Sequence, residues 1–314
     1  MVQKINSMNM NIRSPITNSN NVILEKDISA DLIMKKYKEG ADIDISRFFK
    51  GIKKIYIYKC LDTGYRFYYP LNLEGDDEFY KKLQKYPWYY MDWKWEYEKA
   101  YNLIKFGEKI LEIGCGKGDF INKLRKKKNN EVCGLEFNME AIKKSQEKGL
   151  YVIKETIQEY AKNNKGKYDV VCSFQVMEHI AKIGDAIRDS LAVLKKGGKL
   201  IITVPNNDSF IKKDKIGILN MPPHHVGLWG EKSLKNLDRF FNLKLQNIYF
   251  EPLQDYHYRY YYNTVFGQRI DEIFGKYGKI INKILGRISL HYLTKPYYPK
   301  KIKGHTVMAV YIKN

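Results

Sequence analysis

Cysteine is scarce in this chain and never closely paired: Cys60, Cys115, Cys133 and Cys172 are the only four in 314 residues, and no Cys-x-x-Cys occurs. That pattern argues against a disulfide framework or a zinc ribbon and suits a reducing compartment. Long apolar runs are missing as well. None approaches the ~20 residues needed to cross a bilayer, and the opening Met1 to Asn21 is polar and Asn/Ser-rich, without the apolar centre of a secretion signal. The expectation is a cytoplasmic protein, peripheral to a membrane if it meets one. Acidic side chains are also short: 35 Asp and Glu face 55 Lys and Arg, a formal charge of +20. An excess of that size implies an anionic environment, whether nucleic acid, acidic lipid or a phosphorylated acceptor. From Tyr256 onward eleven Lys and Arg stand against Asp271 and Glu272, a local balance of +9 (eleven minus two).

What the chain does have is a glycine-rich turn between an apolar strand and a helix, Ile110-Leu111-Glu112-Ile113-Gly114-Cys115-Gly116-Lys117-Gly118-Asp119-Phe120. Glycines at alternate positions let the backbone turn sharply and leave no side chain between it and a ligand, while the following helix offers free N–H groups. Glu112 sits inside the strand. A second strand, Glu131 to Glu136, ends in an acid about twenty residues on, where a carboxylate can accept both hydroxyls of a ribose. The spacing Gly-x-Gly-x-Gly lacks the longer last gap of the usual dinucleotide fingerprint. At these residues the chain resembles the class I S-adenosylmethionine-dependent methyltransferases, whose first motif reads much like Glu112 to Gly118.

Around this stretch the order of elements predicts an α/β fold, a doubly wound, mostly parallel seven-stranded sheet of the Rossmann-like methyltransferase kind. Strands are expected at Lys109 to Ile113, Glu131 to Glu136, Leu150 to Ile153, Tyr168 to Ser173, Lys199 to Val204, Leu243 to Phe250 and His305 to Ile312, each short and apolar as buried strands are. Residues 1–44 read as a leader, disordered at first, with a helical pattern near Ile28 to Tyr37. Residues 45–92 read as an aromatic accessory segment, a hairpin at Lys54 to Pro70 followed by a helix. The methyltransferase domain is expected over residues 93–314, with an acceptor loop at 205–230 and a helical cap at 256–303. The accessory segment looks like the one ahead of the core in bacterial methyltransferases of polysaccharide and secondary-metabolite gene clusters. Much of the chain's 26 Tyr crowds into it and into Tyr256 to Tyr262, which suggests a surface that stacks on something.

The resemblance implies S-adenosylmethionine as cofactor. It places Glu112 near the methionine ammonium, Gly114, Cys115, Gly116 and Gly118 in the turn beneath the ribose and methionyl chain, and Glu136 on the ribose diol. Phe137 then lies beside the adenine, Thr156 and Ile157 at its edge, and Phe174 and Gln175 near the transferring methyl group. The segment from Ser173 to Ile180 contains Met177-Glu178-His179, similar to the Met-Glu-His of small-molecule methyltransferases of the ubiquinone O-methyltransferase type. A hydroxyl acceptor must lose its proton during attack on the methyl group, and an imidazole does that well. His224 or His225, on the proline-stiffened loop Leu219 to Gly230, is the first choice for base, with His179 as alternative or orienting partner.

The expected reaction is O-methylation of a small molecule, glycan or lipid-linked sugar, with an anionic acceptor. One rival is a metal-assisted RNA 2′-O-methyltransferase. Enzymes that modify the terminal 2′-hydroxyl of small RNAs bind a divalent metal through Glu-x-x-Glu-His and a later His, and Gln175 to His179 with His224-His225 resembles that in part. Gln175 replaces the first carboxylate, and a neutral amide is a poorer ligand for a hard cation, so a metal is not favoured. Nucleic acid is the less favoured partner, since no RNA-binding module is recognisable. The other rival is a non-catalytic scaffold, which would need neither the glycines nor Glu112 and Glu136. Residues 266–293 show apolar spacing at helical period with Lys and Arg elsewhere. That pattern reads as a peripheral membrane contact, a cap on its own domain or a homodimer face.

Overall fold

The chain enters the structure, a computed structural model describing residues 12–86, 91–214, 217–293 and 299–314, through a strand that its sequence conceals. Strand β1 (Val22–Ser29) exposes most of its side chains, and its Glu25, Lys26 and Asp27 break the apolar alternation by which strands are recognised. It forms because β2 (Lys54–Cys60) offers an antiparallel partner, with Ile28 opposite Ile55. Helix α1 (Ala30–Ala41) follows and buries Ile33 and Tyr37. Residues 22–41, read as leader with a helix near Ile28 to Tyr37, therefore hold a strand and a helix of the fold. Met1 to Asn11, where the disordered start was expected, lie outside the described residues. Strand β3 (Arg66–Tyr69) closes the hairpin, Tyr58 opposite Phe67.

Helices α2 (Asp77–Leu83) and α3 (Trp95–Leu103) lead to the main sheet. Its first strand, β4 (Lys109–Ile113), buries four consecutive residues, so both faces must be covered by helices. The chain then alternates through α4 (Asp119–Lys128), β5 (Glu131–Leu135), α5 (Met139–Glu147), β6 (Val152–Ile153), α6 (Ile157–Ala161), β7 (Tyr168–Phe174), α7 (Ile183–Val193) and β8 (Leu194–Pro205). Strand β9 (Gly227–Leu228), helix α8 (Glu231–Lys235), strand β10 (Leu243–Pro252), helices α9 (Tyr258–Tyr262), α10 (Gln268–Phe274) and α11 (Gly278–Leu293), and strand β11 (Lys303–Lys313) complete it.

The seven strands lie in the order β10-β11-β8-β7-β4-β5-β6, with β11 antiparallel to both neighbours and the other pairs parallel. From β4 the chain steps outward through β5 and β6, then returns to the other side at β7. The order thus reverses between β4 and β7, and a crevice opens at their carboxyl ends. One face of the sheet packs Ala100, Phe120, Leu124 and Ile142 from α3, α4 and α5. The other packs Tyr160, Ile187 and Leu191 from α6 and α7, and shares its cluster with Tyr65, Phe67 and Trp229.

Those last residues tie the two sheets together. Strand β9 comes from residues 205–230, expected to form an acceptor loop, yet it pairs with β3, Phe67 opposite Gly227, and extends the order β1-β2-β3-β9. The region 266–293, read as one helical pattern, is broken where Gly275 turns at φ +52°, a conformation that ends α10 and that glycine adopts at little cost. No helix among the described residues is long and apolar enough to cross a membrane.

Candidate functional site

A cleft of about 1680 Å³ runs along the carboxyl ends of the central strands. Its floor is the glycine turn. Gly114, Gly116 and Gly118 all have positive φ, at 71°, 52° and 73°. A Cβ at Gly114 would sit 2.4 Å from the Val176 side chain, so the turn admits glycine there for space as well as for conformation. Gly114, Cys115 and Gly116 line the cleft, whereas Gly118 caps α4.

Glu136 follows β5 and reaches back to the turn. One carboxylate oxygen accepts the Gly116 N–H at 2.8 Å, the other accepts those of Phe137 at 2.8 Å and Asn138 at 2.9 Å. Three main-chain donors thus hold the carboxylate at the cleft edge in one orientation. Phe137 stands beside it, about half exposed. Glu112 is placed differently. Its carboxyl is fully buried, does not line the cleft and finds no hydrogen-bond partner among the described residues. Desolvation first, then the charges of Glu136 and Asp119, push its pKa well above the usual carboxylate range.

Thr156 and Ile157 line the cleft, but their side chains have other employment. The Thr156 hydroxyl and the Glu159 carboxylate form a capping box at the start of α6, and Ile157 belongs to the core. Phe174 closes the floor against Phe120, ring centres 4.8 Å apart. Gln175 takes φ +57°, strained for a residue with a side chain, and its amide donates to the Thr306 hydroxyl at 3.3 Å.

The far wall gathers the histidines. His179, just after β7, and His224 and His225, on the acceptor loop, have ring centres 4.4 to 4.9 Å apart. Their Nδ1 atoms face acceptors: the carbonyl of His224 for His179, that of Leu219 for His224 at 2.8 Å, and the Asn220 side-chain oxygen for His225 at 3.1 Å. A carbonyl only accepts, so Nδ1 carries the proton and Nε2 becomes the basic atom of each ring. Glu178 lies among them, 1% exposed, with Oε1 4.0 Å from His179 Nε2 and 3.9 Å from His225 Nε2.

Burial governs the titration of this group. It pushes the Glu178 carboxyl up to about 8, and lowers His179 to about 4 and His224 to about 3, the latter also through the charge of His179. His225 is lowered well below the usual imidazole value by burial and by its two neighbours. The cluster is neutral as a unit near pH 7, a protonated carboxyl facing imidazoles with unprotonated Nε2. The three histidines also bring potential ligand atoms within 4.8 Å of one another, and imidazoles with a carboxylate suit a divalent transition metal.

Sequence reading missed the rest of the wall. His305 and His257, rings 4.9 Å apart, line the same cleft, so five of the six histidines in the chain converge there. Glu251 is buried beside them, accepting from the Tyr256 hydroxyl at 3.0 Å and the Thr306 N–H at 2.9 Å. Desolvation, aided by Glu96, raises its pKa to about 7. One signal for His305 was present: an antiparallel last strand brings its first residues to the edge where its parallel neighbours end.

Residues of the leader and of the accessory segment together hold the histidine wall in place. The Tyr37 hydroxyl of α1 donates to the Met221 carbonyl at 2.9 Å, that of Tyr68 to the Asn220 carbonyl at 2.9 Å, and the Tyr80 hydroxyl meets His179 Nδ1 at 3.3 Å.

Residues 88–248, just over half of the chain, match the methyltransferase-domain family. The ubiquinone biosynthesis O-methyltransferase of Vibrio parahaemolyticus is 33% identical over 117 residues, 35% of this chain and 48% of that protein. Its Escherichia coli counterpart is 28% identical over 109 residues, 33% of this chain and 45% of that protein. The chain thus spans about half the length of the curated relatives it matches. Among solved structures, a SAM dependent methyltransferase from Archaeoglobus fulgidus aligns with a TM-score of 0.47 at 19% identity, covering 69% of this chain and 91% of that one.

Proposed function

The chain belongs to the methyltransferase-domain family, and from that premise we propose that it is an S-adenosylmethionine-dependent O-methyltransferase. In this reading the acceptor is a hydroxyl of a small molecule, glycan or lipid-linked sugar, and the buried cluster of Glu178, His179, His224 and His225 receives the hydroxyl proton. The observation that carries it is the placement of unprotonated imidazole nitrogens in the same cleft as the glycine turn.

Two features fit the cofactor. The carboxylate of Glu136, held by three main-chain N–H groups, has one lone pair left, on the oxygen that accepts from Gly116, for a ribose hydroxyl. The Glu112 carboxyl is buried without a hydrogen-bond partner among the described residues, and a methionyl ammonium brought near it would favour its ionised form. When bound, S-adenosylmethionine supplies a methyl group on a cationic sulfur. An acceptor hydroxyl whose oxygen takes that methyl group would lose its proton to an Nε2 of the cluster, and Glu178, with Oε1 4.0 Å from His179 Nε2 and 3.9 Å from His225 Nε2, would stabilise the resulting imidazolium once ionised.

A second reading rests on the spacing of the three imidazoles: a divalent ion held there would acidify the acceptor hydroxyl directly. Calorimetric titration with S-adenosylhomocysteine tests the cofactor, and methyl transfer from labelled S-adenosylmethionine to a panel of catechols and sugars, with EDTA and then with Mn²⁺, separates the two. His225→Ala should leave S-adenosylhomocysteine affinity unchanged and lower transfer by about 10²- to 10⁴-fold. Transfer that survives in the variant removes the base assignment; transfer abolished by EDTA and restored by Mn²⁺ replaces it with the metal.

A further inference from the structure

Helix α11 turns its apolar side away from the protein. Of its residues, Gly278 and Gly286 are buried, and a Cβ at Gly286 would lie 3.3 Å from the Tyr262 ring. Asn282 faces the same way, donating to the Gly267 carbonyl at 3.0 Å and to the Asp271 carboxylate at 2.8 Å. Small and polar residues thus make the inner face. Tyr277, Ile280, Ile284, Leu285 and Ile288, spaced to share one side of a helix, are 42% to 61% exposed. Ile273, at 64%, and Phe274, at 48%, extend the patch from the end of α10. A patch of this kind is unusual on a protein that keeps it in water.

The edge of the patch is cationic. Lys279, Lys283 and Arg287 follow one another at four-residue intervals along its flank, and α11 contains no Asp or Glu. An apolar face with a cationic border, on a helix lying along the surface, is the arrangement that sits at the boundary between lipid headgroups and acyl chains. A formal charge of +20 on each copy opposes self-association through the same face and favours an anionic surface. Helix α9 joins this region to the cleft: Tyr260 lines the cleft wall, and Tyr262 packs on α11.

We propose that the α10 and α11 face docks on an anionic lipid bilayer, with the isoleucines entering the headgroup boundary and Lys279, Lys283 and Arg287 pairing with acidic headgroups. The docking does not depend on the methyl-transfer reading. The test is flotation of the full chain with vesicles of phosphatidylcholine alone and of phosphatidylcholine mixed with phosphatidylglycerol. Binding is expected to the mixed vesicles only, to weaken with added salt, and to fall about fivefold for each of Lys279, Lys283 and Arg287 replaced by Ala. The triple variant Ile280→Asp, Ile284→Asp, Ile288→Asp should abolish it while S-adenosylhomocysteine affinity and circular dichroism match the parent chain. No flotation with the mixed vesicles, equal flotation with both, or binding that survives the triple variant overturns the proposal. A parent chain that sediments as a dimer, with the triple variant a monomer, overturns it as well and assigns the face to a second copy. Failure to bind S-adenosylhomocysteine would instead sink the methyltransferase reading and leave the docking result standing.

Discussion

Replacing Glu178 by Gln isolates the titration at the heart of the cluster. The amide keeps the shape of the side chain and removes the carboxyl that burial raises from 4.5 to about 8. In the unfolded chain that carboxyl ionises above pH 4.5, whereas in the folded protein it keeps its proton until about pH 8. Stability from this group is therefore fully present below pH 4.5 and is lost as pH rises toward 8, at about 1.4 kcal/mol per pH unit. The histidines work the other way. With folded values near 4 and 3 against 6.5 unfolded, His179 and His224 contribute stability that is lost as pH falls below 6.5. The histidine trend and the titration of Glu251 are common to parent and variant and cancel in a comparison of the two. Glu178→Gln lacks only the Glu178 trend, so between about pH 5.5 and about pH 7.5 the variant should gain on the parent by roughly 2.5 kcal/mol as pH rises. For a chain of 314 residues the difference in Tm between the two should shift by about 4 °C. Thermal melts of both proteins at the two pH values measure it. A difference that does not change with pH would mean that Glu178 ionises normally in the folded protein, and the neutral cluster would be refuted.

Glu136→Ala should weaken S-adenosylhomocysteine binding by about 2 kcal/mol, roughly thirtyfold, because an anchored charged acceptor is lost; unchanged affinity by calorimetry removes Glu136 from the site. Tyr37→Phe deletes the donor to the Met221 carbonyl, which still accepts the His224 and His225 N–H groups at 3.1 Å, so the cost in urea unfolding should be about 0.5 to 1.5 kcal/mol. Because α1 then grips the histidine loop less tightly, methyl transfer should fall more than S-adenosylhomocysteine affinity does. Equal losses in both would indicate a general loosening of the fold.

Which parts of this were legible in the sequence follows from the range of the forces involved. Strand β4 and helix α4 begin and end where apolar period, Gly118 and the lysine run after Leu124 put them, and Gly114 had to be glycine for reasons contained in a few neighbouring residues. The capping of α6 by Thr156 and Glu159 was equally local. Strand β1 was not legible, since charge masks its alternation and only the presence of β2 makes it a strand. Nor was β9, two residues long, which exists because β3 lies beside it.

The site divides along the same line. In the proposed reading its cofactor half is a single strand, turn and helix with one acid from just beyond the next strand, so residue identity and spacing were enough to point to Glu136 and the glycines. The acceptor half draws His179 from the end of β7, His224 and His225 from a loop, and His257 and His305 from either side of the α9 to α11 insertion. No spacing in the chain links those segments. The amino acids determined that an imidazole could act as a base; the crossing of the sheet and the grip of α1 and β3 on the loop decided that five imidazoles would share one cleft. Burial there, a property of the packed whole, keeps the cluster neutral.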